Sequence, residues 1–322
     1  MEESERILKD VDKPPIDTHF HPFTKTQWKC MRALRIPLDK YLYHKEFTEE
    51  EITAKSPTEE EMAQTYRRLG CVGMPTAWDN ETRYGDPPTT NEYIRSLCDK
   101  FPDVFITGWA CVDPWRGEEA LQAIEKAIRQ YKLIGVKFHQ AAQGFCVTDK
   151  RLESMWELIQ DLEVPIQLHG GYTGLGTDMP GGQGVQIKYT MPYPHIEDLA
   201  TRYPRIKIFI LHVGDPWVEE FNALARHHGN VYRECSGMWP RYLPEEMIYE
   251  MNRRLQDKYV WGTDYPLFPL DELLKEHNML RDEKGIKGYR PGILEKIMYK
   301  NAIRILKEDF ERVGVDLSKW EE

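Results

Sequence analysis

The sequence predicts a (β/α)8 barrel in a single domain spanning residues 1–322, and three observations carry that prediction: length, strand count and the placement of histidine. The 322 residues fall within the roughly 200 to 400 that such a barrel occupies. From residue 59 onward, short β-branched or aromatic runs alternate with amphipathic helical patterns, the signature of βα units feeding a parallel sheet. Five of the ten histidines end predicted strands, and in a closed barrel the C-terminal strand ends share one face.

The first strand is "PIDTHFH", where alternation puts Asp17, His19 and His21 on one face and Ile16, Thr18 and Phe20 on the other. Residues 22–56 follow as a long loop. Ser56-Pro57-Thr58-Glu59 reads as a capping box that opens a helix running through "EEEMAQTYRRL" to Gly70. The next strands are "CVGMP" and "VFITGWACV". Residues 118–131 then set Ala120, Leu121, Ile124, Ala127, Ile128 and Tyr131 on one helical face.

"LIGVKFH" is the fourth strand, followed by the helix "RLESMWELIQDL" and the fifth strand, "VPIQLH". A second long loop, 170–194, holds the glycine-rich "GGYTGLGTDMPGGQG". No helix follows it directly, so it reads as a mobile loop and not as a phosphate cradle. A helix at 195–202, strand "IKIFILH", helix 217–228, strand "NVYREC", helix 244–256 and strand "YVWGTD" complete eight units, and "GILEKIMYKNAIRILKEDFERV" is the closing helix. Asp215-Pro216 reads as the N-cap and first residue of helix 217–228. No G-x-G-x-x-G joins a strand to a helix, which weighs against an open nucleotide-binding sheet. The two long loops lie on the face where barrel active sites form, and both are expected to cover a substrate.

Composition narrows the partners. Net charge is −10 with a pI near 5.6, and no basic stripe is present, so neither nucleic acid nor an anionic membrane surface is expected. The N-terminal "MEESERILKDVDK" is charged throughout, and no apolar run reaches the roughly 18 residues of a membrane span, which predicts a cytoplasmic protein. Cys30, Cys71, Cys98, Cys111, Cys146 and Cys235 contain no C-x-x-C pair. They are expected to be reduced, with Cys111 and Cys235 as buried apolar residues.

His19, His21, His139, His169 and His212 end strands, as does Asp264 in "VWGTDYP". Imidazoles and a carboxylate gathered this way are ligand types for zinc and similar ions. Lys137 shares a strand face with His139. Trp78 and Arg83 after the second strand, Trp115 after the third and Arg233 on the seventh are candidates to bind an aromatic carboxylate by stacking and paired hydrogen bonds.

"IDTHFH", "IQLHGG", "ILHVGDPW" and "VWGTDYP", with the closing "LEKIMYKNAIRILK", resemble the amidohydrolase-related family, the branch of the amidohydrolase superfamily that includes aminocarboxymuconate-semialdehyde decarboxylase. The resemblance runs from about residue 14 to about residue 306. It implies a divalent metal, zinc or alternatively manganese, held by His19, His21, His169 and Asp264. His212 is then an acid-base residue or a ligand to a second ion, and Asp264 shares the acid-base role. Lys137 resembles a carboxylated lysine that bridges two ions in other members, with His139 beside it; its other reading is a lysine that neutralises a buried carboxylate or binds an anionic substrate. Dihydroxybenzoate-type decarboxylases of the family often carry glutamate where this chain has His19.

The resulting expectation is hydrolysis of an amide, lactone or ester in a small carboxylated or cyclic substrate. Decarboxylation of a small aromatic or unsaturated acid at the same site is the alternative, and an inactive barrel that serves as a binding module is a third reading. Family members commonly form dimers, but no self-complementary patch in the sequence identifies one.

Overall fold

The computed structural model describes residues 7–283 and 288–321; the first six residues of the charged N-terminal stretch lie outside them. Eight parallel strands alternate with helices: β1 Ile16–Phe20, β2 Val72–Pro75, β3 Trp109–Ala110, β4 Gly135–Phe138, β5 Ile166–His169, β6 Ile208–Leu211, β7 Val231–Glu234 and β8 Tyr259–Val260. Strands β3 to β8 pair in sequence order, and β1 pairs with β2. Two seams of backbone hydrogen bonds join these ladders into a ring. Gly73 N donates to Val104 O at 2.7 Å and Ala77 N to Trp109 O at 3.0 Å between β2 and β3. Thr18 N donates to Trp261 O at 3.0 Å between β1 and β8. A closed ring leaves no strand edge unpaired, and the protein is a (β/α)8 barrel.

Helix Glu59–Leu69 begins two residues later than the sequence suggested. Thr58 is the cap, bonded to the backbone of Glu61, whose carboxylate returns to Thr58 N. Pro57 therefore precedes the cap. Helix Val218–His227 also starts late, with Trp217 at its N-cap. Asp215-Pro216 belongs instead to the loop after β6, where Asp215 O accepts a hydrogen bond from Tyr172 N at 2.6 Å. Helix 244–256 shortens to Glu245–Met251, and the closing helix is interrupted by a wider turn at Lys296–Lys300 before Asn301–Val313.

Residues 22–56 fold into two helices, Arg32–Tyr43 and Glu49–Lys55. The second carries its own capping box, Thr48 with Glu51. These helices bury Trp28, Leu34, Leu38 and Ile52 in an apolar cluster separate from the main core, and Leu175 and Val185 of the 170–194 loop join it. The two long connections thus share one small core over the mouth of the barrel. All six cysteines are free, and Cys111 and Cys235 are buried.

Asp17 fastens the β1–β8 seam. Its Oδ1 accepts from His19 N at 3.2 Å and Thr263 N at 3.0 Å, and its Oδ2 from Thr263 Oγ1 and Tyr66 Oη, each at 2.6 Å. Burial pushes its pKa up to about 7 against these four donors. Asp17→Ala strands buried donors on Thr263, just after β8, and on helix Glu59–Leu69. It is expected to lower unfolding stability by about 3–5 kcal/mol in urea titrations, and a loss below about 1 kcal/mol would contradict this role.

His277, on the buried face of helix Leu270–Asp282 with its Nδ1 3.1 Å from Tyr289 Oη, is kept neutral by burial, its pKa pulled down to about 3. The unfolded chain binds this proton below about pH 6.5 while the folded chain does not. The contribution is therefore complete above that pH and is lost as pH falls towards 3. His277→Gln should flatten the dependence of stability on pH by about 1.4 kcal/mol per unit between roughly pH 6 and 4; unchanged slopes in parallel unfolding titrations would refute it.

Candidate metal centre

The seam that closes the barrel also assembles the site. His19 O accepts hydrogen bonds from both Thr263 N (3.2 Å) and Asp264 N (3.0 Å), so the chain leaving β8 is held against the end of β1. Asp264 Oδ1 then lies 3.7 Å from His19 Nε2 and 3.6 Å from His21 Nε2, and the two ring nitrogens are 3.3 Å apart. Zinc-type bonds of about 2.0–2.2 Å in tetrahedral array set ligand atoms roughly 3.3–3.6 Å from one another. The triangle has the dimensions of one face of such a site, and all three residues are buried.

Lys137, buried on β4, points its Nζ at His19 Nε2 from 2.8 Å. Burial lowers its pKa to about 8, against the opposing pull of Asp264. Burial likewise raises Asp264 to about 7, with Lys137 acting in the other direction.

His169 ends β5 and donates through Nε2 to Tyr172 O at 3.0 Å, which leaves its lone pair on Nδ1, a buried atom without a hydrogen-bond partner. An orphaned ring nitrogen of this kind suits a ligand. His169 is nevertheless outside the His19–His21–Asp264 triangle: its ring stacks on His139 at 4.0 Å and lies 4.4 Å from that of His212. His139 has both nitrogens engaged within the protein. Nδ1 accepts from Ala142 N at 3.2 Å and Nε2 is 3.3 Å from Thr173 Oγ1, so this residue has no nitrogen left for a second ion. Burial, followed by the positive charge of neighbouring groups, keeps all five imidazoles far below the ordinary histidine pKa. The neutral ring is the form that ligates.

A second cluster joins His19, His212 and Glu234. Glu234 ends β7 and was not among the sequence candidates; the signal that would have found it is the strand-end position it shares with the histidines. Its neighbour Arg233, which was a candidate, lies on the opposite strand face. There it donates to Val213 O at 2.6 Å and His212 O at 3.2 Å and packs against the rings of Phe221 and Tyr259. Gly262 makes room for the glutamate, since a Cβ there would sit 2.2 Å from Glu234 Oε1. His212 and Asp264 both adopt left-handed backbone, φ 67° and 58°, a strain of about 1–3 kcal/mol for residues with side chains and one that gathers at functional sites.

Above the clusters lies a cavity of about 620 Å³. Its floor includes His21, Lys137, His169, His212 and Asp264, and its walls include Phe23, Leu38, Trp78, Trp239 and Phe268. Trp78 stands edge-on to His21 and His139, with ring centroids 5.5 and 5.4 Å away. His139 also lines the cavity, whereas Trp115 and Arg83 do not. Trp115 donates to Gln143 O at 2.8 Å beneath the Arg151 guanidinium, and Arg83 donates to Gly184 O, tying down the 170–194 loop.

Residues 16–307 match the family model described as Amidohydrolase. The chain belongs to this family. It is a metal-dependent enzyme of the amidohydrolase superfamily, with a divalent-metal site of histidine and aspartate. No curated protein sequence matches it. Among solved structures, an uncharacterised TIM-barrel protein from Bordetella bronchiseptica superposes with a TM-score of 0.70 at 21% identity, covering 94% of this chain and 99% of that one. A 5-carboxyvanillate decarboxylase from Novosphingobium aromaticivorans, complexed with manganese and 4-hydroxy-3-methoxy-5-nitrobenzoic acid, gives 0.67 at 14% identity, with 95% and 99% covered. A 2,6-dihydroxybenzoate decarboxylase from Rhizobium gives 0.62 at 14% identity, with 92% and 99% covered. At these identities the likeness is one of fold.

Gly262→Ala should drive the Glu234 carboxylate from its place and press on His19 Cβ, 3.1 Å from the added methyl. The expected loss is about 1–3 kcal/mol of stability, with reduced metal content by elemental analysis; a variant unchanged in both would contradict the packing described.

Proposed function

We propose that the protein is a divalent-metal-dependent decarboxylase of a small aromatic or unsaturated carboxylic acid. The observation that carries this reading is the division of the cavity: polar and titratable groups are concentrated at the floor, and the walls are largely aromatic and aliphatic. Such a cavity receives a flat apolar body with its reacting group pointing down. Loss of CO2 disperses a localised carboxylate charge into a conjugated system, a change favoured where apolar walls replace water. The decarboxylases among the similar structures lend further support. His19, where dihydroxybenzoate-type members often carry glutamate, keeps unsaturated acids within the proposed range beside aromatic ones.

When bound at His19, His21 and Asp264, with His169 as a further ligand, the divalent ion supplies positive charge that binds and orients the acid. Manganese and zinc both suit this donor set. Lys137, the one lysine or arginine among the lining residues, adds positive charge beside it as an uncarboxylated ammonium. His212, once its Nε2 lone pair has taken up a proton from solvent or substrate, or Asp264 delivers a proton to the carbon bearing the carboxylate. The bond to that carboxylate then breaks, its electron pair returns to the conjugated system, and CO2 departs. Trp78 and Phe23 flank the substrate and exclude water. We place this chemistry in the cytoplasm, on a small-molecule substrate and in a homodimer; among the described residues no helix is long and apolar enough to cross a membrane.

Hydrolysis of a lactone, ester or amide is the second reading, favoured by the full set of His19, His21, Lys137, His169, His212 and Asp264, the residue types found in hydrolytic members. His212 or Asp264 then carries a proton from water to the leaving group.

Protein loaded with manganese or zinc, assayed against a panel of hydroxybenzoic acids, unsaturated dicarboxylic acids, lactones and aryl esters, is expected to release CO2. Hydrolysis products without CO2 would overturn the first reading in favour of the second. His212→Asn should lower turnover by about 100-fold or more while leaving bound metal near one per chain, and intact mass should show Lys137 without an added carboxyl.

A further inference from the structure

The second cluster, His19–His212–Glu234, has the composition of another metal site, but its centre is filled by a side chain. Ser236 Oγ lies 2.6 Å from Glu234 Oε2, 2.9 Å from His212 Nδ1 and 3.1 Å from His19 Nδ1. His19 Nδ1 and Glu234 Oε2, by contrast, are 3.7 Å apart. The hydroxyl thus stands where an ion would have to stand.

We infer that Ser236 is a positioning residue that sets the tautomers of two site histidines at once, holding the proton of both His19 and His212 on Nδ1 and presenting both Nε2 lone pairs for function. A hydroxyl has one hydrogen to give and two lone pairs to share. Glu234 Oε2 already accepts the backbone N–H of His212 at 3.3 Å, so this oxygen is an acceptor and takes the serine hydrogen as well. Both serine lone pairs then face ring nitrogens, and each ring donates through Nδ1–H. Lys137 reaches the same assignment from the other side of His19: an ammonium can only donate, and its Nζ lies 2.8 Å from Nε2, so that nitrogen carries the lone pair.

Backbone packing keeps the hub in place. Gly237, the residue after Ser236, has φ +69°, and a Cβ there would lie 2.6 Å from His212 Nδ1. Gly262 admits the Glu234 carboxylate, as described above. The hub therefore links a metal ligand, the proton-carrying His212 and a carboxylate through one hydroxyl. The assignment of His19 as ligand and His212 as proton carrier rests on the proposed function; the tautomers themselves do not.

The test uses the full-length chain with 15N-labelled histidine, before and after addition of zinc alone. The His19 and His212 signals are assigned through His19→Gln and His212→Gln. Nδ1–H is expected on both rings, with His19 Nε2 shifting when zinc is added, and an Nε2–H tautomer on either ring overturns the inference. Ser236→Ala should release both tautomers and weaken zinc binding by about 10- to 100-fold, and Ser236→Thr should restore both. Tautomers and zinc affinity unchanged in a folded Ser236→Ala would likewise overturn it. If the alanine variant does not fold, the wild-type spectra alone decide. Nδ1–H on both rings in a protein that releases no CO2 leaves this inference standing and removes the decarboxylase reading.

Discussion

Asp17 accepts four hydrogen bonds where the last strand of the barrel meets the first, two from Thr263, one from Tyr66 and one from the backbone of His19. A carboxylate buried without such donors would be costly, and one with four is a rigid joint. Because Thr263 precedes Asp264 and Asp17 lies two residues before His19, the joint that closes the ring also fixes the separation between the two ends of the metal triangle. Distances of 3.3 to 3.7 Å among three ligand atoms follow from a seam whose own bonds are 2.6 to 3.2 Å long. Fold closure and ligand geometry are one constraint here.

The same burial shapes the electrostatics. Five imidazoles, one ammonium and two carboxylates meet at the strand ends, and desolvation pushes each towards its neutral form. Neutral imidazoles have lone pairs to offer, which a solvent-exposed cluster at the same pH would partly give up to protons. Ser236 and Tyr172 occupy the other nitrogens of His19, His212 and His169. A site of this type works through the direction of its lone pairs, so groups that only hold a ring proton matter as much as the ligands themselves.

Much of this was legible in the sequence because the relevant periods are short. A strand alternates every two residues, so "IDTHFH" places His19 and His21 together, and eight βα units place His169, His212 and Asp264 at the same end. Glu234 escaped because side-chain polarity drew attention to Arg233, although the two occupy opposite faces of β7. The arginine donates through one terminal nitrogen to the carbonyls of His212 and Val213, an outcome decided by tertiary packing and not by local pattern. Ser236 is likewise invisible in sequence, since its importance is three contacts with residues 2, 24 and 217 positions away. The helices within residues 22–56 carry a readable capping box at Thr48 and Glu51, a local signal that the length of the connection outweighs in sequence. His139 ended its strand as expected, yet its ring nitrogens serve the following turn and Thr173, which strand counting does not foresee.

The cap explains how so polar a floor coexists with so apolar a cavity. Residues 22–56 and 170–194 leave the barrel separately but bury Trp28, Leu34, Ile52, Leu175 and Val185 against one another. This shared core supplies the apolar burial that holds two long connections over the mouth. Leu38 and Trp78 belong both to that core and to the cavity wall, so the surface that stabilises the cap is continuous with the surface that meets the substrate. The triangle is anchored from the other side through Asp17, behind His19, while Phe23 and Trp78 of the cap core pack on the His21 ring at 4.8 and 5.5 Å. Cap and triangle therefore meet at His21, so the packing that shapes the cavity also bears on one ring of the metal triangle.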